Sequence, residues 1–299
     1  MSKVTTTITR TTDSVGIIGL GIMGGSFARN LVRAGWKVVG FDISKARCAD
    51  LSKAGVTIAG SVAEVMAAAP IVMTSLPSLK AIDTVAGEIA ATRAPPRIVL
   101  EMSTIPLEDK QRFADTISRA GHIPIDCPVS GTGAQAETRD LILYPSGDSV
   151  AIASLKEVFA DFTRGWYDVG AYGNGSRMKY IANHLVAIHN VASAEAMILA
   201  EKAGLDLDIV VECIGNGAGA SRMFQMRAPL MAHVTYQPAT MKMSIWQKDI
   251  DTIRDFARGL DAATPLFDAT LPIYEEGLRQ GRDEEDTASV FSVMGGKGK

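Results

Sequence analysis

Cysteine is scarce in this chain: Cys48, Cys127 and Cys213 are widely spaced and odd in number. That pattern excludes a disulfide framework and a cysteine zinc site, and makes a reducing cytoplasm the expected compartment. Histidines that could ligate a metal are lacking too. His122, His184, His189 and His233 show no metal spacing, and the closest two, His184 and His189, fall on different helix faces. No metal is expected. An excess of one charge is also missing: 30 basic against 33 acidic residues leave no electrostatic footprint for nucleic acid. No segment is long and apolar enough to span a bilayer. Residues 1–13 are Thr-rich and polar, without the apolar middle of a signal peptide, and read as a loose leader. There is no internal repeat. What remains is a chain of 299 residues, 47% hydrophobic, which suits two domains with proper cores.

The most informative stretch is 15–31, VGIIGLGIMGGSFARNL. A short apolar run meets the turn Gly19-Leu20-Gly21-Ile22-Met23-Gly24, and helix-compatible residues follow. The first glycine permits a tight turn, the second lets backbone approach a pyrophosphate, and the third lets the helix pack close to the strand. Phosphate charge would face the N–H groups of a helix N-terminus. A plain turn can carry the same spacing. Here the strand before, the helix after, and Asp42 ending the next apolar run (36–41) all agree with a dinucleotide site. Asp42 stands where a carboxylate binds a ribose 2′-OH and repels a 2′-phosphate, which favours NAD. Lys45 and Arg47 keep NADP open, although they also suit the solvated first turn of a helix.

Apolar runs alternate with helical patterns as far as residue 172. Expected strands are 14–20, 36–42, 56–59, 70–76, 97–102, 122–126, 139–146 and 165–169. Helical segments lie near 22–34, 44–54, 61–68, 78–91, 106–120 and 148–161. This order predicts an α/β Rossmann-type domain over 14–172, with a doubly wound, mostly parallel sheet. Ligands of such sheets bind beyond the carboxyl ends of the strands. After Gly173-Asn174-Gly175 the pattern changes. Residues 176–203 hold no Pro or Gly and keep an apolar stripe, which predicts a long interdomain helix. Further helices are expected near 206–216, 221–231, 240–260, 264–281 and 286–294, so 173–299 reads as an all-helical domain used for substrate and oligomerisation. The last five residues look frayed.

Lys179 and Asn183 stand four apart and share a face near the start of the long helix. Alone, they suit a solvated lysine and a surface amide. Their place at a domain boundary, where clefts form, gives them more weight. Beside a nicotinamide cation the charged amine is disfavoured, which suits a general base taking a hydroxyl proton. A second constellation, 126–133 (DCPVSGTG), is a turn-forming stretch after a strand. It could hold a small carboxylate through Ser130, Thr132 and main-chain donors, and equally could be an ordinary Ser/Gly turn. Ser103-Thr104 and Leu76-Pro77 end other strands and could flank a cofactor. Lys248-Asp249 reads as a common solvated pair, and Cys127 as structural.

These residues resemble the β-hydroxyacid dehydrogenase family, which includes 3-hydroxyisobutyrate dehydrogenase and tartronate semialdehyde reductase. The likeness runs over nearly the whole chain. The cofactor motif is similar to residues 19–24 with Ala28, Asn30-Leu31 and Gly35. The substrate motif is similar to 126–131. The catalytic motif resembles Gly173-x-Gly175-x-x-x-Lys179-x-x-x-Asn183, and the late cofactor motif resembles Lys248-Asp249-Ile250.

The resemblance implies an NAD(P)-dependent oxidoreductase of small 3-hydroxy acids or their semialdehydes, assembled as a homodimer or homotetramer. Lys179 would transfer the proton, with Asn183 orienting a carboxylate-bearing substrate. Ser130, Gly131 and Thr132 would anchor that carboxylate. Leu76, Pro77 and Thr104 would line the nicotinamide side, and Lys248 would close over the cofactor. The chain departs from the family at Thr132, where a second Gly is usual, and at Arg139-Asp140, where Gly-Thr is common. It departs again at Ala182 (often Asn) and at Met241 (often aromatic). Two other readings are an NADPH-dependent imine reductase, against which Lys179 counts, and a catalytically silent dinucleotide-binding scaffold. The helical region is too short for a 6-phosphogluconate dehydrogenase.

Overall fold

A computed structural model describes residues 8–298. The chain divides after Lys179 into two compact units, so the division falls within the long helix rather than at the expected 172/173 boundary.

In the first unit, β1 (Ser14–Ile18), α1 (Ile22–Arg33), β2 (Lys37–Phe41), α2 (Lys45–Lys53), β3 (Thr57–Ile58) and α3 (Val62–Ala68) alternate as expected. β4 (Ile71–Thr74), α4 (Leu79–Ala91), β5 (Ile98–Glu101), α5 (Leu107–Arg119) and β6 (Ile123–Asp126) continue the series. Every residue of β4 and β5 is buried. That follows from a parallel sheet covered on both faces, where strands read as continuous apolar runs. One face packs Phe27, Phe159 and Phe162. The other packs Val65, Ile82 and Phe113.

The strand expected over 139–146 is a correction. It is two strands serving two sheets. β7 (Val129–Ser130) leads through α6 (Gly133–Glu137) to β8 (Ile142–Leu143), and β9 (Ser146–Gly147) follows at once. β9 closes a seven-stranded sheet of order β3-β2-β1-β4-β5-β6-β9, antiparallel to β6. β8 pairs instead with β7 and β10 (Gly165–Trp166) in a three-stranded sheet. Pro145, which has no N–H to offer a ladder, separates the two. The helix expected over 148–161 likewise splits into α7 (Ser149–Ser154) and α8 (Lys156–Phe162). Arg139 lies at φ +61°, a left-handed position where glycine is the unstrained choice.

α9 (Asn174–Lys202) runs for 29 residues. α10 (Leu207–Gly215), α11 (Arg222–Ala232), α12 (Met243–Gly259) and α13 (Pro265–Arg279) complete most of the second unit. The helix expected from 286 is instead a 3₁₀ turn (Thr287–Ser289) followed by the short α14 (Val290–Val293). The second core gathers Tyr180, Met197, Phe224, Trp246 and Tyr274.

Both chain ends depart from expectation where they are described. Ile8 is buried in the first core, Arg10 pairs with Asp161 at 3.3 Å, and Thr9 with Asp13 forms a turn. Ile8 and the contacts of Arg10 and Asp13 therefore anchor residues 8–13, with 10–12 exposed, and 1–7 lie outside the described residues. At the other end Gly296 is buried against Phe291, and the Lys297 N–H donates to Glu201 at 3.1 Å. Lys299 is outside the described residues.

Candidate active site

The glycine turn separates into different demands. Gly19 is left-handed (φ +92°), and a Cβ there would overlap the Ser75 carbonyl oxygen. A Cβ on Gly24 would overlap the Gly19 carbonyl oxygen, so α1 packs directly on the turn it leaves. Gly21 is different: an added Cβ would meet only the Arg47 guanidinium, at 3.8 Å. The second glycine thus faces space rather than protein. Leu20 is buried and Met23 partly so in the core, while Ile22 stays 77% exposed on the turn.

Helix capping carries the same contrast. Ser44, Ser61 and Ser78 cap α2, α3 and α4 by accepting a backbone N–H. α1 starts at Gly21 with no side-chain cap and no acidic residue in its first turn. Uncapped N–H groups and a positive dipole end fit a pyrophosphate. Asp42 follows β2, where a ribose would lie. Its carboxylate accepts the Leu20 N–H (2.8 Å) and the Ser44 N–H (2.7 Å), and Arg47 approaches it at 3.5 Å. The turn, the carboxylate and the second helix are one hydrogen-bonded unit. On the neighbouring strands the Leu76 N–H donates to Ser103 Oγ at 3.0 Å, which joins the two loops beyond β4 and β5. Pro77 is exposed beside Leu76, and Thr104 is half-buried after Ser103.

The 130–133 loop lies against that turn. A Cβ on Gly133 would meet Ile22 Cγ2 at 2.5 Å. Gly131 sits at φ +141°, with the Leu141 side chain filling the space a Cβ would need. Ser130 and Thr132 are half-buried. The Thr132 N–H donates to Gln135 Oε1 (3.0 Å), and its hydroxyl does so at 3.4 Å. The main-chain donor expected for a carboxylate at Thr132 is therefore already engaged by the start of α6. Asn30, read as part of the cofactor motif, works on the same loop from behind: its Nδ2 donates to the Ala136 carbonyl at 2.7 Å. Ser26 adds a 2.6 Å bond to Glu137.

Beyond β6 a buried charge cluster holds the first turn of α9. Asp126 accepts the Ser176 N–H (2.7 Å) and the Ser176 hydroxyl (2.9 Å). Gly175 donates to Ser146 Oγ at 2.9 Å, and a Cβ on Gly175 would overlap the Tyr144 carbonyl oxygen. Lys110 pairs with Asp126 at 3.0 Å and with Glu101, and all three side chains are 0% exposed. Burial alone would lower the Lys110 pKa, but the two carboxylates outweigh it and raise it. Burial pushes the Cys127 thiol up, consistent with a structural cysteine. Sequence reasoning missed Lys110 and Glu101, because nothing local marks a lysine in an amphipathic helix as buried.

Lys179 and Asn183 occupy successive turns of α9, and both are buried, unlike the solvated pair their spacing alone allowed. Asn183 Nδ2 donates to Asp249 Oδ2 at 3.1 Å. Lys248 is exposed, at 3.6 Å from the Asp249 carboxylate, whereas Asp249 is buried. The expected solvated pair Lys248-Asp249 is thus corrected: its acid faces inward and fixes Asn183. Among the described residues no cluster of His, Cys, Asp and Glu could hold a metal, and no helix is long and apolar enough to cross a membrane.

Residues 14–173 match the model of the NAD binding domain of 6-phosphogluconate dehydrogenase. Residues 173–294 match that of the NAD-binding domain of NADP-dependent 3-hydroxyisobutyrate dehydrogenase. The chain is 31% identical to the L-threonate dehydrogenase of Escherichia coli over 94% of this chain and 95% of that one. A 3-hydroxyisobutyrate dehydrogenase structure from Salmonella typhimurium superposes with a TM-score of 0.83 at 29% identity, over 94% of this chain and 99% of that one. The Mycobacterium tuberculosis 3-hydroxyisobutyrate dehydrogenase with L-serine gives 0.85 at 26% identity, over 95% and 99%.

Proposed function

The chain belongs to the β-hydroxyacid dehydrogenase family, and on that premise we propose that Lys179 is its proton-transfer residue, acting on a small 3-hydroxy acid or the matching semialdehyde. The observation that carries this reading is the burial of Lys179 and Asn183 together near the head of α9. An amine and an amide withheld from water on one helix face suit catalysis better than solvation.

The cofactor is NAD(P); when bound it would supply the hydride acceptor for oxidation and the hydride donor for reduction. Lys179 takes the substrate hydroxyl proton during oxidation and supplies it to the developing alkoxide during reduction. Asn183, its amide fixed by Asp249, orients the substrate beside that lysine. Ser130 and the backbone at Gly131 anchor the substrate carboxylate, and the Thr132 side chain narrows that loop. Gly19 to Gly24 would seat the pyrophosphate, Leu76, Pro77 and Thr104 would flank the nicotinamide, and Lys248 is the cofactor residue that the second unit would contribute. NAD is the preferred form: two backbone N–H groups fix the Asp42 carboxylate where a 2′-phosphate would lie, and Arg47, 3.5 Å from it, is the residue that keeps NADP open. The same reading takes the protein as a homo-oligomer of the cytoplasm that does not bind nucleic acid.

The decisive test is Lys179→Ala. Turnover is expected to fall by roughly 10²–10⁴-fold while NAD affinity, read by fluorescence titration, stays near the parent's; near-normal turnover refutes the assignment. A screen of 3-hydroxy acids, semialdehydes and cyclic imines by nicotinamide absorbance names the substrate. Turnover of imines alone would overturn the hydroxy-acid reading.

A further inference from the structure

We infer that Lys110 is a positioning residue, the buried cation that fixes the loops beside the nicotinamide and the first turn of the helix carrying Lys179 in one arrangement. The inference rests on the assignment of Lys179 proposed above. Glu101 and Asp126 end neighbouring parallel strands, β5 and β6, and stand directly opposite each other in the ladder. Like charges in that position repel. Lys110 reaches both from α5, and its ammonium also donates to the Glu101 carbonyl at 3.1 Å.

Each carboxylate then has a second task. The other Glu101 oxygen accepts the Ser103 N–H at 2.9 Å, and Ser103 Oγ accepts the Leu76 N–H at 3.0 Å. That branch sets the loops after β4 and β5. Asp126 spends both oxygens on Ser176, through its N–H and its hydroxyl. Ser176 lies three residues before Lys179, so the two share a helix face. Here both branches end at active-site segments, at the carboxyl ends of the strands where ligands of such sheets bind. The groups facing Lys110 are Glu101, Asp126, Cys127 and Tyr172, with the thiol and phenol both raised by burial.

The test compares Lys110→Met and Ser176→Ala with Lys179→Ala in the full chain, using the hydroxy acid that the parent turns over fastest in the screen above. Lys110→Met is expected to lower kcat about 30–100-fold, since about 1 Å of misplacement can cost ~10²-fold. KM for the hydroxy acid and Kd for NAD should stay within about threefold, assayed well below the unfolding midpoint. Ser176→Ala, which keeps its N–H on Asp126, should lower kcat by about three- to tenfold. Parental kcat in both variants overturns the inference, and a loss confined to thermal stability does the same. Should Lys110→Met not fold, Ser176→Ala decides alone by the same criterion. Lys179→Ala separates the failures: if it is active, the catalytic assignment itself fails. If it is inactive while the other two match the parent, only the positioning role falls.

Discussion

Lys110 in the first unit and Arg227 in the second are both buried against acid, and the two are used differently. In the first unit Lys110 meets two carboxylates, and both pass the constraint to segments that flank the candidate chemistry. In the second unit Arg227 meets one, Asp286, at 2.8 Å. Asp286 also accepts the Thr240 N–H (2.8 Å), the Met241 N–H (3.2 Å) and the Ala288 N–H (3.0 Å). Those contacts fix the approach to α12 and the turn before α14. The direction of the pKa shift follows the number of acids, while both groups stay cationic. Burial lowers the Arg227 pKa and one acid does not offset it, whereas two acids raise that of Lys110. A buried ion pair is thus defined less by its own energy than by what its remaining oxygens hold.

The largest effect expected in either unit belongs to neither cation but to Gly24. Gly24→Ala forces a methyl into the Gly19 carbonyl and should cost about 4 kcal/mol or more in chemical denaturation. Gly21→Ala, where space is open, should alter stability by less than about 1 kcal/mol yet weaken NAD binding about tenfold. Equal stability losses in both would show that the turn is merely packed. Next comes Arg227→Met, expected to lose about 3–5 kcal/mol because Asp286 is left buried and unpaired. Its kcat, measured on the folded fraction, should match the parent's within about twofold. A drop in kcat like that expected for Lys110→Met would erase the distinction drawn between the two cations.

The smallest effect is on pH dependence. Burial, then the charge of Arg97, lowers the pKa of His122 in the first unit. Burial lowers that of His184 in the second unit, with Asp268 opposing. Both ordinary values are 6.5, so below that pH the unfolded chain binds more protons than the folded one. Stability should therefore decline as pH falls through 6.5 toward the lowered folded values. In His122→Gln the slope of unfolding free energy against pH should be shallower there. An unchanged slope would assign the acid sensitivity to other groups.

Much of the first unit was legible because its signals are local. The alternation of strands and helices and the three glycines act within a few residues of where they stand. Lys179 and Asn183 were marked by their place at the domain boundary and by the family resemblance, since their spacing alone suits a solvated pair. Three things were not legible. Asp249 reads as a solvated charge beside Lys248, and only packing turns it inward to Asn183. Asn30 reads as part of the cofactor motif, although its amide bonds Ala136, far along the chain. The 139–146 run has the composition of one strand, but its halves pair with partners in different sheets.

The sequence alone determined the Rossmann alternation, the helical second half, the glycine turn and the family. Those follow from periodicity, steric permission at glycine and the order of short motifs, all of which survive without a third dimension. Only the tertiary structure decided which charges are buried and what they hold. Nothing in one dimension marks Lys110 and Glu101 as a buried pair, and Asp126 and Asp249 read there as motif members rather than as buried acids. Burial and ion pairing depend on neighbours distant in the chain, and those neighbours are set by packing rather than by spacing.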